Sequence, residues 1–178
     1  ENLQDLFHSI HVILGELMPA DNFFIALYDP QTQTLSFPYF VDQYDAPPSP
    51  KKLDKGLTEY ILRTGKPLLA SPEVFEELVE QEEVLIVGAP SIDWMGVPLI
   101  ARNRVIGVMA TQSYTEGVRF DVDEMDIMQF VSSQVAMAID RKQAADVLRL
   151  SSNYGGCLMY RQLPPAAFAP ASRRSHHA

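Results

Sequence analysis

The side chains that most often carry chemistry are few in this sequence and poorly placed for catalysis. His8 and His11 are three residues apart on a candidate helix, where they could offer two ligands to a metal or a haem. Two ligands on an exposed helix make a weak site, so we interpret both as surface histidines. His176, His177 and the single cysteine, Cys157, lie near the C-terminus, outside the expected core. No nucleophile is paired with a base, and the sequence therefore predicts neither a catalytic nor a metal site.

The acidic residues form two groups that are better explained as helix surface than as cation sites. Six glutamates fall between residues 73 and 83, but they run around a helix, whereas a cation needs oxygens that converge from a shaped loop. A second group, Asp121, Asp123, Glu124 and Asp126, lies in the first turn of the last helix, where carboxylates complement the helix dipole. We interpret both groups as solvated.

Two stretches favour binding of a small molecule. Lys55-Gly56-Leu57-Thr58 leads into a helix whose free N–H groups could bind an anionic or carbonyl ligand, although capping alone also explains these residues. Trp94, the only tryptophan, enters an apolar strand beside a loop, and either fills core or forms a cavity wall. If a ligand binds, we expect it between these elements, where polar donors face apolar walls. The expected contacts are Tyr39, Gly56, Leu57, Thr58, Tyr60, Phe75 and Trp94.

Helices and hairpins must position these residues. Leu3–Leu17 has a heptad-like apolar stripe that Pro19 ends, and the last helix is expected from residue 121 to about 150. Between them, residues 22–29 are apolar on both faces, as a central strand would be. Residues 34–41 alternate, with Leu35, Phe37, Tyr39 and Val41 on one face, and the two stretches are predicted to form a hairpin. A helix from Leu57 ends at Gly65; a short strand and a short helix follow. A second hairpin, residues 91–114, turns at Arg102-Asn103.

Composition limits the class of protein. The chain has 178 residues, a net charge of −9 and 47% apolar residues, which suit a soluble globular domain and not a nucleic-acid-binding face. Its apolar runs are far shorter than a membrane span requires, so no membrane insertion of this domain is expected. The start, ENLQDLF, lacks an initiator Met and a basic leader, which suggests a piece of a longer protein. With one cysteine, a cytoplasmic location is expected.

Three stretches together resemble the GAF domain family of small sensor modules: GLTEYILRTGKPLL, WMGVPLIARNRVIGVMATQSY and RFDVDEMDIMQFVSSQVAMAIDR. The resemblance runs from Leu3 to about Lys142, and is greatest to the GAF domains of bacterial sensor histidine kinases and related signalling proteins. It implies an α+β fold with a central antiparallel sheet of five or six strands. Long N- and C-terminal helices would cover one face, and short helices and loops would form a ligand cup on the other.

The resemblance also limits which cofactors are expected. Asn103, Arg104, Phe120, Asp123 and Glu124 approach the signature of cyclic-nucleotide-binding members, but arginine replaces lysine and the spacing differs by one residue. That signature is mainly structural, so it predicts no cyclic nucleotide. Members that attach bilins or reduce methionine sulfoxide need pocket cysteines, and haem-binding members need a pocket histidine. We expect no bilin, haem or metal, which leaves an unidentified small molecule.

The sequence predicts a non-catalytic regulatory domain that relays the state of a small-molecule ligand through its terminal helices to an output domain, such as a histidine kinase. The alternative is a ligand-free dimerisation or linker module. The expected organisation is a signalling helix (1–18), a sensor core (19–142), the end of the outgoing helix (143–152) and a disordered or artificial tail (153–178). We also expect a parallel homodimer through the terminal helices. Its exposed apolar residues would be Leu6, Ile13, Val147, Leu148 and Leu150.

Overall fold

A computed structural model describes residues 2–89 and 91–155 of the chain. The predicted order of helices and strands is confirmed, with one two-residue strand added inside the predicted loop of residues 42–55. Most of the predicted tail, from residue 156 onward, lies outside the described residues, and the last helix includes residues 153–155. In chain order the elements are α1 (Leu3–Leu17), β1 (Asn22–Asp29), β2 (Thr34–Val41), β3 (Lys51–Lys52), α2 (Leu57–Thr64), β4 (Leu68–Ala70), α3 (Pro72–Glu80), β5 (Asp93–Ala101), β6 (Arg104–Ser113) and α4 (Val122–Gly155).

The strands form a six-stranded sheet in the order β3-β2-β1-β6-β5-β4, and every neighbouring pair is antiparallel. The predicted α+β fold and antiparallel sheet are thus confirmed. β1 and β6 are central and pair from Asn22 with Gln112 to Leu27 with Gly107. Both are apolar on their two faces, as central strands must be when each face of the sheet is covered.

Local sequence signals account for the ends of these elements. The Asn2 side chain caps α1 by accepting from the Gln4 N–H at 3.2 Å, and the Ser71 hydroxyl caps α3. Gly65 ends α2 with φ of 66°, a conformation that glycine adopts without strain. The β5–β6 hairpin turns through Arg102 and Asn103, which both have positive φ, as the tight hairpin requires.

The two faces of the sheet carry separate apolar clusters. On one face the cluster includes Phe7 and Leu14 of α1, Met128 and Ile139 of α4, and strand residues such as Met109. On the other, strand residues pack with α2, whose Ile61 is fully buried. The terminal helices therefore share one face, as predicted, and α2 covers the opposite one.

The inward stripe of each terminal helix differs from the predicted one. Leu17, assigned to the α1 stripe, is 58% exposed, because the helix ends there and the buried residue is Met18. On α4, Val131 and Ala138 are only half-buried, while Ser132, Ala136 and Ile139 are buried. The buried residues Ser132, Ala136 and Ile139 are themselves four and three residues apart, so the three-four rhythm holds and the buried face of α4 extends to the residues that follow Val131, Val135 and Ala138.

A bulge in β2 changes which side chains reach each face. Ser36 pairs with Leu27 and Tyr39 with Ile25, so Phe37 and Pro38 together oppose one residue of β1. Leu35 and Phe37 lie on the α2 face, but Tyr39 lies on the α1 face, against Phe7 and Phe23. The predicted simple alternation through Tyr39 is therefore wrong. Proline, which cannot donate to a strand ladder, is tolerated at a bulge.

Contacts divide the chain into residues 1–142 and 143–178. The first unit contains the sheet and both clusters. Of the second, residues 143–155 are described, all in α4, and Val147, Leu148 and Leu150 there are exposed. No helix in the described part of the chain is long and apolar enough to cross a bilayer.

Candidate functional site

A cavity of about 430 Å³ lies on the α2 face of the sheet, bounded by α2, α3 and loop residues 45–48 and 85–89. Aromatic rings form much of its wall. They come from β1, β2, α3 and β5, and are Phe24, Phe37, Phe40, Phe75 and Trp94. Phe24, Phe37 and Phe40 also contact one another, with ring centroids 5.7–6.1 Å apart. This size and this largely apolar wall are typical of small-molecule sites.

Five of the seven residues predicted to contact a ligand line this cavity: Gly56, Leu57, Thr58, Phe75 and Trp94. Trp94 fulfils both interpretations of the sequence, because its side chain packs in the apolar cluster, 4% exposed, and also faces the cavity. That these five bind a ligand stays a prediction.

Tyr39 and Tyr60 are not brought to the cavity, and their assignment to its wall is wrong. The β2 bulge turns Tyr39 to the opposite face of the sheet. Tyr60 follows the cavity-lining residues of α2 but points along the helix surface, where the Arg63 guanidinium lies 5.4 Å from its ring centroid. Tyr60 shares a helix face with Leu57 but lies roughly 4.5 Å further along the axis, away from the helix start that lines the cavity.

The residue that sequence reasoning missed is Glu59, at the third position of α2. Its side chain is only 4% exposed and lines the cavity. Its Oε2 atom lies 2.6 Å from where a Cβ on Gly56 would stand, so the carboxylate folds back over the helix start and would have to move if position 56 carried a side chain. A glutamate three residues after an N-cap is a known capping position, and that spacing was the available signal.

Glu59 has one ionic partner. The Lys51 Nζ atom of β3 lies 2.9 Å from Glu59 Oε1, yet the contact lacks hydrogen-bond geometry. Oε1 is the one deeply buried side-chain oxygen or nitrogen in the described part of the chain without a hydrogen-bond partner. Lys51 is 33% exposed and also lines the cavity. Lys51 was not singled out from the sequence, because it lies in the predicted loop and a two-residue strand leaves no periodic pattern.

The far wall is fixed by a polar network around Asp42. Its carboxylate accepts from Gln112 Nε2 at 2.6 Å and from the Tyr114 hydroxyl at 3.1 Å. Burial acts to raise the pKa of Asp42, but hydrogen bonds from the Asp45 and Tyr44 N–H groups and from both side chains outweigh it and lower that pKa. Burial, together with the Asp42 charge, raises the pKa of Tyr114. The network holds Gln112, which lines the cavity, in place.

Asp93 anchors the strand that carries Trp94. It is 3% exposed and accepts from the Phe120 N–H at 2.7 Å, which ties β5 to the loop before α4. Burial raises the pKa of Asp93 against the opposing effect of that hydrogen bond. Its role is therefore structural.

The acidic stretch 73–83 is largely solvent-exposed, as predicted, although Glu76 also lines the cavity. A hydrogen bond from the Ser71 hydroxyl lowers the pKa of Glu73, and Glu83 forms an ion pair with Arg63. In the part of the chain that the structure describes, no cluster of three or more potential ligands could hold a metal ion.

One of the two helix histidines is not a surface residue. His11 is half-buried, its Nε2 lies 2.6 Å from the Ala20 carbonyl oxygen, and its Nδ1 lies 2.9 Å from the Tyr39 hydroxyl. Its ring stacks on Phe23 at 4.9 Å. The interpretation as a surface histidine is correct for His8, which is exposed, and wrong for His11, which joins α1 to the sheet.

Comparison with known proteins places this architecture in one structural group. A family model described as the GAF domain matches residues 1–140. Among solved structures, the GAF domain of a phosphoenolpyruvate-protein phosphotransferase from Coxiella burnetii is 16% identical with a TM-score of 0.63, over 82% of this chain and 87% of that one. No curated protein sequence matches significantly.

Two further solved structures have the same fold. The GAF-B domain of DevS from Mycobacterium smegmatis is 15% identical with a TM-score of 0.61, over 83% of this chain and 99% of that one. Free methionine-R-sulfoxide reductase from Neisseria meningitidis, in complex with its substrate, is 15% identical with a TM-score of 0.60, over 77% of each chain. At such identities the similarity is one of fold.

Proposed function

Because this chain belongs to the GAF domain family, we propose that it is a non-catalytic sensor domain that binds a small molecule in the cavity on the α2 face. The observation that carries this proposal is the cavity itself: about 430 Å³, walled by aromatic rings and supplied with a few polar groups. Ligand binding would be relayed through α1 and α4 to an output domain of a bacterial signalling protein, such as a histidine kinase.

A regulatory role is supported over catalysis by the cavity wall. Among the described residues that form it there is neither a cysteine nor a histidine, so a thiolate or imidazole nucleophile–base pair has no place there. Some structural neighbours are reductases and others belong to sensor proteins. The chemistry of the wall favours the sensor group, and no cofactor of the bilin, haem or metal type is proposed.

The alternative, a ligand-free dimerisation or linker module, is supported by apolar side chains that face solvent. On α1 these are Val12, Ile13 and Leu17, each at least half exposed, whereas the predicted Leu6 is half-buried. Phe130 of α4 is 71% exposed. We extend the proposal to a homodimer that buries these residues, since apolar surface on a helix is readily covered by a second copy about a two-fold axis.

Thermal unfolding with a panel of small metabolites tests the sensor proposal. A ligand present at about one hundred times its Kd stabilises the folded state by about 2.7 kcal/mol. For a domain of this size that corresponds to a rise of roughly 5–11 °C in Tm. The matched variants are Phe75→Ala, which removes a cavity wall, and Phe130→Ala, which makes the same change on α4.

The sensor proposal predicts that Phe75→Ala weakens the shift and Phe130→Ala leaves it unchanged. A broad panel that gives no shift, or a shift equally reduced in both variants, would favour the ligand-free alternative.

Light scattering tests the dimer: we expect about twice the 19.9 kDa chain mass, and Ile13→Glu should shift the protein toward the monomer. A mass of one chain at high concentration would rule out self-association through these helices. The domain is proposed to work in the cytoplasm.

A further inference from the structure

We propose that the cavity selects a ligand with a protonated amine on an apolar body, and that Glu59 is the partner of the ammonium group. This inference rests on the proposed function and specifies the chemistry of its ligand. It rests on three features of the described residues: the buried carboxylate, the aromatic wall and the balance of charge around the cavity.

One oxygen of the buried carboxylate lacks a hydrogen-bond partner. Burying a charged oxygen without a hydrogen bond is costly, and native proteins rarely keep such a group without a reason. Glu59 is 4% exposed, and its Oε1 has an ion-pair contact but no hydrogen-bond partner among the described residues. A ligand N–H donor in the cavity would supply the missing hydrogen bond, and a charged donor would supply the stronger one.

The wall suits the rest of such a ligand. Five aromatic rings line the cavity together with Leu57 and the loop residues Leu85, Ile86 and Val87, which are half or more exposed. These side chains offer apolar contact to a hydrocarbon or aryl body. The faces of aromatic rings also attract organic cations.

The charge balance disfavours the anionic ligand that the helix start first suggested. The cavity is lined by three carboxylates, Asp45, Glu59 and Glu76, and by one cation, Lys51. The Glu59 carboxylate already folds over the start of α2, beside Gly56. An incoming carboxylate or phosphate would meet that charge directly, whereas an ammonium group would compete with Lys51 for it.

Matched probes separate charge from shape. Calorimetric titrations at pH 7 use an amine, an alcohol and an acid on the same aryl group: 2-phenylethylamine, 2-phenylethanol and phenylacetate, and likewise tryptamine, tryptophol and indole-3-acetate. We expect at least one amine to bind at least tenfold more tightly than its alcohol, the advantage of a charge-assisted hydrogen bond. The acids should bind more weakly than the alcohols.

Three variants assign the effect to single residues. Glu59→Gln keeps the shape of the side chain and should weaken amine binding about tenfold or more, with little effect on the alcohol. Glu80→Gln is the control, since Glu80 is an exposed residue of α3 outside the cavity wall. Lys51→Met should strengthen amine binding several-fold because it removes the competitor for Glu59. Alcohol binding, measured in the same variants, reports whether the cavity is intact.

The outcomes distinguish this inference from the proposed function. Binding of an alcohol or acid in preference to its amine would overturn the amine assignment while supporting a small-molecule site. Equal loss of amine and alcohol binding in Glu59→Gln would make Glu59 a structural residue, and would also overturn it. If none of the six probes binds, the amine assignment fails, and the proposed function then depends on the separate metabolite panel.

Discussion

Gly96 of β5 provides room for the indole of Trp94, and replacing it with alanine should expel that ring from the cavity wall. A Cβ at position 96 would lie 2.3 Å from Cη2 of Trp94, 2.7 Å from its Cζ3 and 2.8 Å from Cδ1 of Ile61. The first distance is more than 1 Å short of ordinary van der Waals contact, which begins at 3.4 Å. Trp94 is 4% exposed and Ile61 fully buried, so neither can move without repacking.

We expect Gly96→Ala to destabilise the protein by about 1–3 kcal/mol, the usual cost of overpacking a filled core. For a chain of this size that lowers Tm by roughly 2–12 °C. Because Trp94 is the only tryptophan, intrinsic fluorescence reports its displacement directly. The emission should shift to longer wavelength, and quenching by acrylamide should increase under native conditions.

The matched control is Gly15→Ala. Gly15 lies in α1 with nothing within 4 Å of its added Cβ, so the same substitution should stabilise the helix by about 0.5–1 kcal/mol and leave the emission unchanged. This explanation requires that the free energy of unfolding falls in Gly96→Ala and rises in Gly15→Ala. A Gly96→Ala protein with the Tm and emission of the wild type would show that the indole is not held against the strand in this way.

Three further substitutions test other parts of the fold. Tyr39→Phe removes the hydroxyl beside His11 Nδ1 and should cost about 1 kcal/mol in urea unfolding, with ligand affinity unchanged. Burial acts to raise the pKa of Asp42, but its hydrogen bonds outweigh burial and lower that pKa below the ordinary value of 3.8. The ionised carboxylate therefore stabilises the fold fully at pH values above 3.8, and progressively less as the pH falls below it. The difference in unfolding free energy between wild type and Asp42→Asn should shrink from pH 7 to pH 3. Asn103→Val puts a branched residue at φ of 60° and should lower stability by about 1–2 kcal/mol in thermal unfolding.

The sequence was sufficient to predict features that depend on short-range chemistry. Pro19 and Gly65 predicted the ends of α1 and α2. The position of the β5–β6 turn at Arg102-Asn103 was predicted correctly, and both residues have the positive φ that a tight hairpin requires. Five of the seven expected ligand contacts line the cavity. They could be predicted because the start of α2 and the apolar strand β5 both lie where the sheet is covered.

The features that were missed depend on tertiary context. The bulge at Phe37 and Pro38 inverts the alternation of β2, and nothing in the alternating pattern distinguishes a proline at a bulge from one at a strand edge. Glu59 was not predicted to line the site, because its burial depends on β3 and on the loop that follows α3. The Tyr39 hydroxyl, one of the partners of His11, reaches it because the bulge turns Tyr39 toward α1.

The pairing of β1 with β6 also sets the order of events while the chain is synthesised. The two central strands pair Phe23 with Thr111 and Ile25 with Met109, residues more than eighty positions apart. At roughly 5–20 residues per second, the ribosome needs about 4–17 s to supply the partner of β1. During that interval β1, apolar on both faces, has only β2 beside it and offers one open edge. Substitutions that slow closure of this pair therefore add to the time in which nascent chains can aggregate, even where the finished fold is as stable as before.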